Sequence, residues 1–235
     1  MSENKVAYIT GGTKGVGFGI AEVLLENGFR IAFSGRKAED VEKASKQLDA
    51  SGERVLGIVS DVKKFEDEQK AISKVVEKFG RLDLVIANAG LGHFASIEDL
   101  SVDDWQDMID TNLTGVFYTL KSSIEALKKT EGYFISIASL AGEYFFEKGS
   151  GYNASKFGVV GFTQAAMLDL RKYNIKCSVI LPGSINTYFN NSEPSEEESW
   201  KIQPRDIGDL VLNMVKMDPR VLPAKVELRA SQVKK

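Results

Sequence analysis

Tyr152-Asn153-Ala154-Ser155-Lys156 sets a phenol and an amine four residues apart, a spacing that puts both on one face of a helix. A free tyrosine titrates near ~10 and is a poor base at neutral pH. An ammonium beside it favours the phenolate, so the spacing predicts a lowered Tyr152 pKa suited to general acid–base catalysis. Ser139 follows a short β-branched run upstream, where its hydroxyl can hydrogen-bond and orient the oxygen of a substrate. Each residue alone is ordinary; together they describe a proton-transfer site.

A second cluster lies near the amino terminus, Thr10-Gly11-Gly12-Thr13-Lys14-Gly15-Val16-Gly17-Phe18-Gly19. Glycines after a strand let the backbone turn sharply and approach a pyrophosphate, which then sits against the positive end of the next helix. A glycine run alone is weak evidence, but this one closes a strand, opens a helix and lies in the first βα unit. The second strand ends in Ser34-Gly35-Arg36-Lys37, with no carboxylate for ribose hydroxyls. Arg36 offers instead a planar fork for a 2′-phosphate, and Lys14 a second positive charge on the same side. The expected cofactor is therefore NADP(H) in preference to NAD(H).

The elements that must position these groups alternate. Short strands are predicted at 6–10, 30–34, 55–59, 82–87, 133–138, 175–181 and 221–229. Helices are predicted at 15–27, 39–50, 64–79, 152–173 and 204–217, with a long helical region at 102–128 broken before Thr111. The polar, acidic stretch 187–200 has no usable periodicity and reads as a short lid over a substrate. Repeated βα units of this length imply an α/β fold, one Rossmann domain over 1–235 with a doubly wound parallel sheet of about seven strands and helices on both faces.

Composition narrows the function classes. With 235 residues, 43% hydrophobic and 27% charged, the chain can bury a full core without disulfide or metal. The net charge of −3 gives no general attraction to nucleic acid or to an anionic membrane. The single cysteine, Cys177, sits in an apolar run and reads as a small buried hydrophobe. The single histidine, His93, leaves no metal-ligand spacing, so no metal is expected. No secretory or membrane-spanning stretch is evident, and a cytoplasmic protein is the expectation.

Taken together these motifs resemble the short-chain dehydrogenase/reductase (SDR) family over nearly the whole chain. The glycine motif stands as Thr10, Gly11, Gly15 and Gly17, the acid after the third strand as Asp61, and the family's Asn-Ala-Gly as Asn88-Ala89-Gly90. One common family asparagine is replaced by Ala87. The resemblance implies a cofactor surface of Gly11, Thr13, Lys14, Gly15, Val16, Gly17, Arg36, Asp61, Val62, Asn88, Ala89, Gly90, Tyr152, Lys156, Pro182, Gly183 and Thr187. It implies Asn112, Ser139, Tyr152 and Lys156 as the catalytic set. Tyr152 would exchange the proton, Lys156 would lower its pKa and bind nicotinamide ribose, Ser139 would hold the substrate oxygen, and Asn112 would hold a relay water.

The implied activity is interconversion of a small-molecule carbonyl compound and its alcohol. His93, Phe94 and Tyr188 are expected in the substrate pocket, with 143–146 and Phe189 beside them. Their aromatic bias suits an apolar or aromatic carbonyl, while Glu143 and Glu147 weigh against anions. An alternative is reduction of 3-oxoacyl groups on acyl carrier protein. The acidic run 193–198 would repel that acidic partner, while Lys128-Lys129 keeps the possibility open. An NADP(H) sensor without catalysis is a third reading, set against the retention of all four catalytic positions. The family commonly assembles through the helices carrying Asn112 and Tyr152, and 156–170 is apolar around most of its circumference. A homodimer or homotetramer is expected.

Overall fold

A strand covered on both faces needs apolar side chains at nearly every position, and β1 (Val6–Thr10) is buried throughout. Its alternate residues serve two cores: Ala7 and Ile9 point into one, Val6 and Tyr8 into the other. The computed structural model describes residues 4–189 and 192–232. After β1 the elements run α1 (Gly15–Glu26), β2 (Arg30–Gly35), α2 (Ala38–Leu48), β3 (Val55–Val59) and α3 (Phe65–Phe79). Then come β4 (Leu84–Ala87), α4 (Val102–Ile109), α5 (Gly115–Thr130), β5 (Tyr133–Ile137) and α6 (Ser150–Leu170). The last are β6 (Lys176–Pro182), α7 (Pro204–Lys216) and β7 (Lys225–Leu228).

All the pairings are parallel, in the order β3-β2-β1-β4-β5-β6-β7. Helices α1, α2 and α7 cover one face through Ile20, Leu24, Val41 and Val211. Helices α3, α5 and α6 cover the other through Ile72, Val75, Leu120 and Val159. This is the doubly wound Rossmann sheet in a single α/β domain. The order reverses between β1 and β4, and such a switch point opens a crevice at the carboxyl ends of the strands. Cys177 lies fully buried on β6, where burial pushes its thiol up to about 12.

Several boundaries differ from the sequence expectation, three of them with a local structural cause. The break expected before Thr111 is a π-turn, Asp110–Thr114, that joins α4 to α5 without a loop. Only Lys225–Leu228 of the expected 221–229 strand pairs with β6; Pro223 just before it has no N–H to give a ladder. Helix α6 starts two residues ahead of Tyr152 and gives way to a 3₁₀ turn at Arg171–Tyr173. The base of the expected lid is held by a bridge between Ile185 and Ile202 and by Asn186, whose side chain donates to the Ser195 carbonyl at 2.9 Å and accepts from its N–H at 3.1 Å. Within that lid, Asn190 and Asn191 lie outside the described residues. No helix among the described residues is long and apolar enough to cross a membrane.

Candidate active site

The turn after β1 is built on glycines that no other residue replaces easily. Gly11 and Gly15 have φ of 66° and 59°, a left-handed conformation that side chains disfavour. A Cβ on Gly15 would strike the Thr187 hydroxyl, and one on Gly17 would strike the Gly11 carbonyl and the Asn88 amide. Asn88 is the clamp of this loop: its Nδ2 donates to the carbonyls of Thr10 at 2.9 Å and Gly11 at 3.1 Å. The Thr10 hydroxyl accepts in turn from the N–H groups of Asn88 at 3.0 Å and Ala89 at 3.1 Å.

These elements open a cleft of about 1480 Å³. Gly11, Thr13, Lys14, Gly15, Val16, Arg36, Asp61, Val62, Asn88, Ala89 and Gly90 line one end, and Ser139, Tyr152, Lys156, Pro182, Gly183 and Thr187 line the remainder. Gly17 and Asn112 do not line it; they support it from behind. Arg36 is exposed and has no ionic partner among the described residues, while the exposed Lys14 stands with its Nζ 5.2 Å from the Tyr188 ring centroid. Two cations and no carboxylate at the end of β2 fit an anionic group there. Asp61 accepts from the Lys63 N–H at 3.1 Å, which fixes its turn, and Val62 is buried beside it. Among the described residues no group of His, Cys, Asp or Glu is placed to hold a metal.

Tyr152 and Lys156 are 8% and 4% exposed, one turn apart on α6. Lys156 donates to the Ile137 carbonyl at 3.1 Å, and its Nζ is 5.7 Å from the Tyr152 ring centroid. Burial pushes the phenol up to about 12, and a hydrogen bond with Ser139 draws it partly back. Burial also drives the lysine down to about 8. The sequence expectation is a Tyr152 pKa lowered by Lys156; in this structure burial is the largest influence on the phenol and acts in the opposite direction. Ser139 sits just past β5, its Oγ accepting from the Ala141 N–H at 3.1 Å, which leaves its proton to give elsewhere.

Asn112 occupies the π-turn, fully buried. Its side chain accepts from the Leu91 N–H at 2.8 Å and donates to the Leu91 carbonyl at 2.8 Å and to Ser155 Oγ at 3.0 Å. The side chain is thus engaged in tying the 88–91 turn to α6. π-Turns recur at functional sites because they re-aim one residue of a helix. His93 lies 3.4 Å from both Asp104 and Asp107 across its two ring nitrogens, and Asp107 also holds Lys63 at 3.0 Å. His93 therefore anchors its loop to α4. Phe94 meets the Tyr152 ring edge-on with centroids 5.4 Å apart, Phe189 stands at 5.6 Å and Phe146 at 6.5 Å. Tyr188 is turned toward Lys14. Glu143 is held by Lys225 at 2.8 Å and does not line the cleft.

Three positioning groups escaped the sequence analysis. Asn153 Nδ2 donates to the carbonyls of Ala141 at 2.6 Å and Tyr144 at 2.7 Å, fixing the loop beside the cleft. Ser155, inside the Tyr-Lys spacing, receives Asn112. Glu68 is fully buried and accepts from the hydroxyls of Ser60 at 2.8 Å, Thr119 at 3.0 Å and Tyr8 at 3.1 Å. A signal existed for the last: Glu68 lies on the same stripe of α3 as Ala71, Ile72 and Val75, where a lone carboxylate needs partners.

Residues 5–198 match the short chain dehydrogenase family model. A trans-4-hydroxycyclohexanecarboxylate dehydrogenase of Sinomonas cyclohexanicum is 33% identical over 78% of this chain and 73% of its own. An alcohol dehydrogenase from the archaeon Thermococcus sibiricus, complexed with 5-hydroxy-NADP, superposes with a TM-score of 0.91 at 31% identity, covering 98% of this chain and 99% of that one. An actinorhodin polyketide ketoreductase with NADPH gives a TM-score of 0.87 at 28% identity, over 98% of each chain. With the family model matched over residues 5–198, the chain belongs to the short-chain dehydrogenase/reductase family of oxidoreductases.

Proposed function

We propose that the chain is an NADP(H)-dependent oxidoreductase that interconverts a ketone or aldehyde and its alcohol, with Tyr152 as the acid–base group. The observation that carries this is the meeting of Ser139, Tyr152 and Lys156 in the cleft that the glycine loop opens. The cofactor would lie along Gly11–Val16, Asp61 and 88–90, with Arg36 and Lys14 on its 2′-phosphate. A nicotinamide cofactor held there would supply the hydride for the carbonyl carbon, or take it up in reverse. Tyr152, a phenol protonated at neutral pH and held above its ordinary value by burial, gives its proton to the carbonyl oxygen. Ser139 donates to that oxygen and aligns it. Lys156 at about 8 is charged over most of the neutral range and disperses the negative charge left on the phenolate. Asn112 acts through Leu91 and Ser155, holding the two walls in register.

A positioned acid–base group contributes ~10² to 10⁴ in rate. Tyr152→Phe is expected to cut NADPH oxidation by that factor while NADPH binding stays within about threefold. Unchanged turnover in the variant removes the mechanism. A panel of aldehydes, ketones and 3-oxoacyl thioesters, offered with NADPH and with NADH, separates the small-molecule reading from the acyl-carrier one; binding without any turnover favours a sensor.

The same reading includes a homo-oligomer. Phe117 on α5 and Phe157 and Leu168 on α6 are 43%, 37% and 59% exposed, Phe117 packs edge-on to Phe162 at 6.0 Å, and Phe145 stacks on Phe157 at 5.4 Å. Large apolar side chains exposed in number on two helices are covered in most stable proteins. Light scattering at micromolar concentration is expected to give a dimer or tetramer mass; a monomer counts against it.

A further inference from the structure

The half of the cleft beyond the nucleotide end has a chemistry of its own. Around Tyr152 stand three phenylalanines from three segments: Phe94 after β4, Phe146 before α6, and Phe189 from the lid. Phe94 also meets Phe146 at 5.6 Å and Phe189 at 6.3 Å, so the rings form one continuous aromatic wall. Behind it pack Met108, Ala141, Leu91 and Leu100, all apolar. The reacting hydroxyls of Ser139 and Tyr152 are thus the polar points of an apolar chamber.

Its charged groups are one-sided. Outside the nucleotide half, and apart from Lys156, the charged side chains that line the cleft are Asp104, Glu193, Glu198 and Lys201. Lys201 is held by Glu198. His93 stands with its two ring nitrogens 3.4 Å from Asp104 and Asp107. A carboxylate or phosphate entering here would leave water to meet acids and phenyl rings, with no free cation among the described residues of this half to receive it. A ring substrate meets the opposite situation, since aromatic edges and faces pair favourably with other rings.

We propose that the substrate is a neutral ring ketone, aromatic or alicyclic, seated among Phe94, Phe146 and Phe189 with its oxygen at Tyr152, and that anionic analogues are rejected. This deepens the oxidoreductase reading and rests on it. Four probes separate shape from charge: acetophenone, a linear octanone of equal carbon number, acetylbenzoate with its carboxylate para to the ketone, and the methyl ester of that acid. With NADPH, kcat/KM for acetophenone is expected to exceed that for octanone by about tenfold or more, corresponding to roughly one or two ring contacts. Acetylbenzoate is expected about a hundredfold below its methyl ester, with the gap narrowing as salt screens the acidic mouth. Phe146→Leu should lower the acetophenone-to-octanone ratio by about threefold or more, a ratio that general damage to the fold leaves unchanged.

Equal kcat/KM for acetophenone and octanone overturns the proposal while leaving the oxidoreductase reading intact. So does acetylbenzoate turned over as well as its ester. Should none of the four be reduced, calorimetry of ester and acid binding to the NADP-loaded chain still decides: an ester bound no tighter than the acid overturns it.

Discussion

Replacing Lys156 by methionine should make the cofactor-free chain more stable, because the structure buries an amine with little to offset the loss of water. Burial takes Lys156 from the ordinary 10.5 down to about 8, which at about 1.4 kcal/mol per tenfold amounts to roughly 3 kcal/mol against the charged native state. Methionine has similar length and no charge. It gives up the 3.1 Å bond to the Ile137 carbonyl, worth about 1 kcal/mol, so a net gain of about 2 kcal/mol is expected near neutral pH. That corresponds to a rise of about 4–8 °C in Tm for a domain of this size. Below about 8 the amine is charged in both native and unfolded chains, and the penalty is complete. Between about 8 and 10.5 the native chain has released its proton and the unfolded chain has not, so parent stability rises with pH across that window. The advantage of Lys156→Met must therefore shrink through the same window. Urea unfolding of both chains, in parallel from neutral to alkaline pH, measures the difference directly, and other titrating groups cancel in it. A variant less stable than its parent near neutrality, or a gap that stays flat with pH, refutes the burial argument. The same variant should lose most of its turnover, an instance of a functional group kept at a cost in stability.

Two further outcomes follow from named contacts. Arg36→Ala removes the unpartnered guanidinium at the end of β2; losing a charge-assisted contact of about 1.5–3 kcal/mol should weaken NADPH binding by roughly 10- to 150-fold and leave NADH nearly unchanged, read by fluorescence titration. An unaltered NADPH-to-NADH ratio removes Arg36 from the phosphate site. Glu68→Leu leaves the hydroxyls of Tyr8 and Ser60 without their acceptor and should cost about 2 kcal/mol, with Glu68→Gln milder. Burial raises the Glu68 carboxyl, so the native chain holds that proton at higher pH than the unfolded one. Parent stability consequently falls as pH rises above the ordinary carboxylate range, a slope that Glu68→Gln should abolish in urea titrations. A Glu68→Leu chain as stable as its parent would mean that the hydroxyls find other acceptors.

The local periodicities of this chain carried the architecture. Fully apolar runs such as Val6–Thr10, alternating with helices of one apolar stripe, left a parallel sheet covered on both faces as the arrangement that buries them all. Glycines at positions 11 and 15 and the Tyr152-to-Lys156 spacing are likewise local facts, since positive φ and one helical turn are set within a few residues. What only the tertiary structure decided depends on who else is near. The pKa of Tyr152 moved opposite to the sequence expectation because desolvation is a property of the surrounding fold and not of the neighbouring lysine. Asn112 became a brace between Leu91 and Ser155, residues 21 and 43 positions away. His93 met two carboxylates of α4, and Phe94, Phe146 and Phe189 converged on one phenol from three separate segments. Spacing along a chain fixes the conformation of a turn or a helix face; the solvent, charge and ring contacts that tune a site come from long-range packing, which no local pattern encodes.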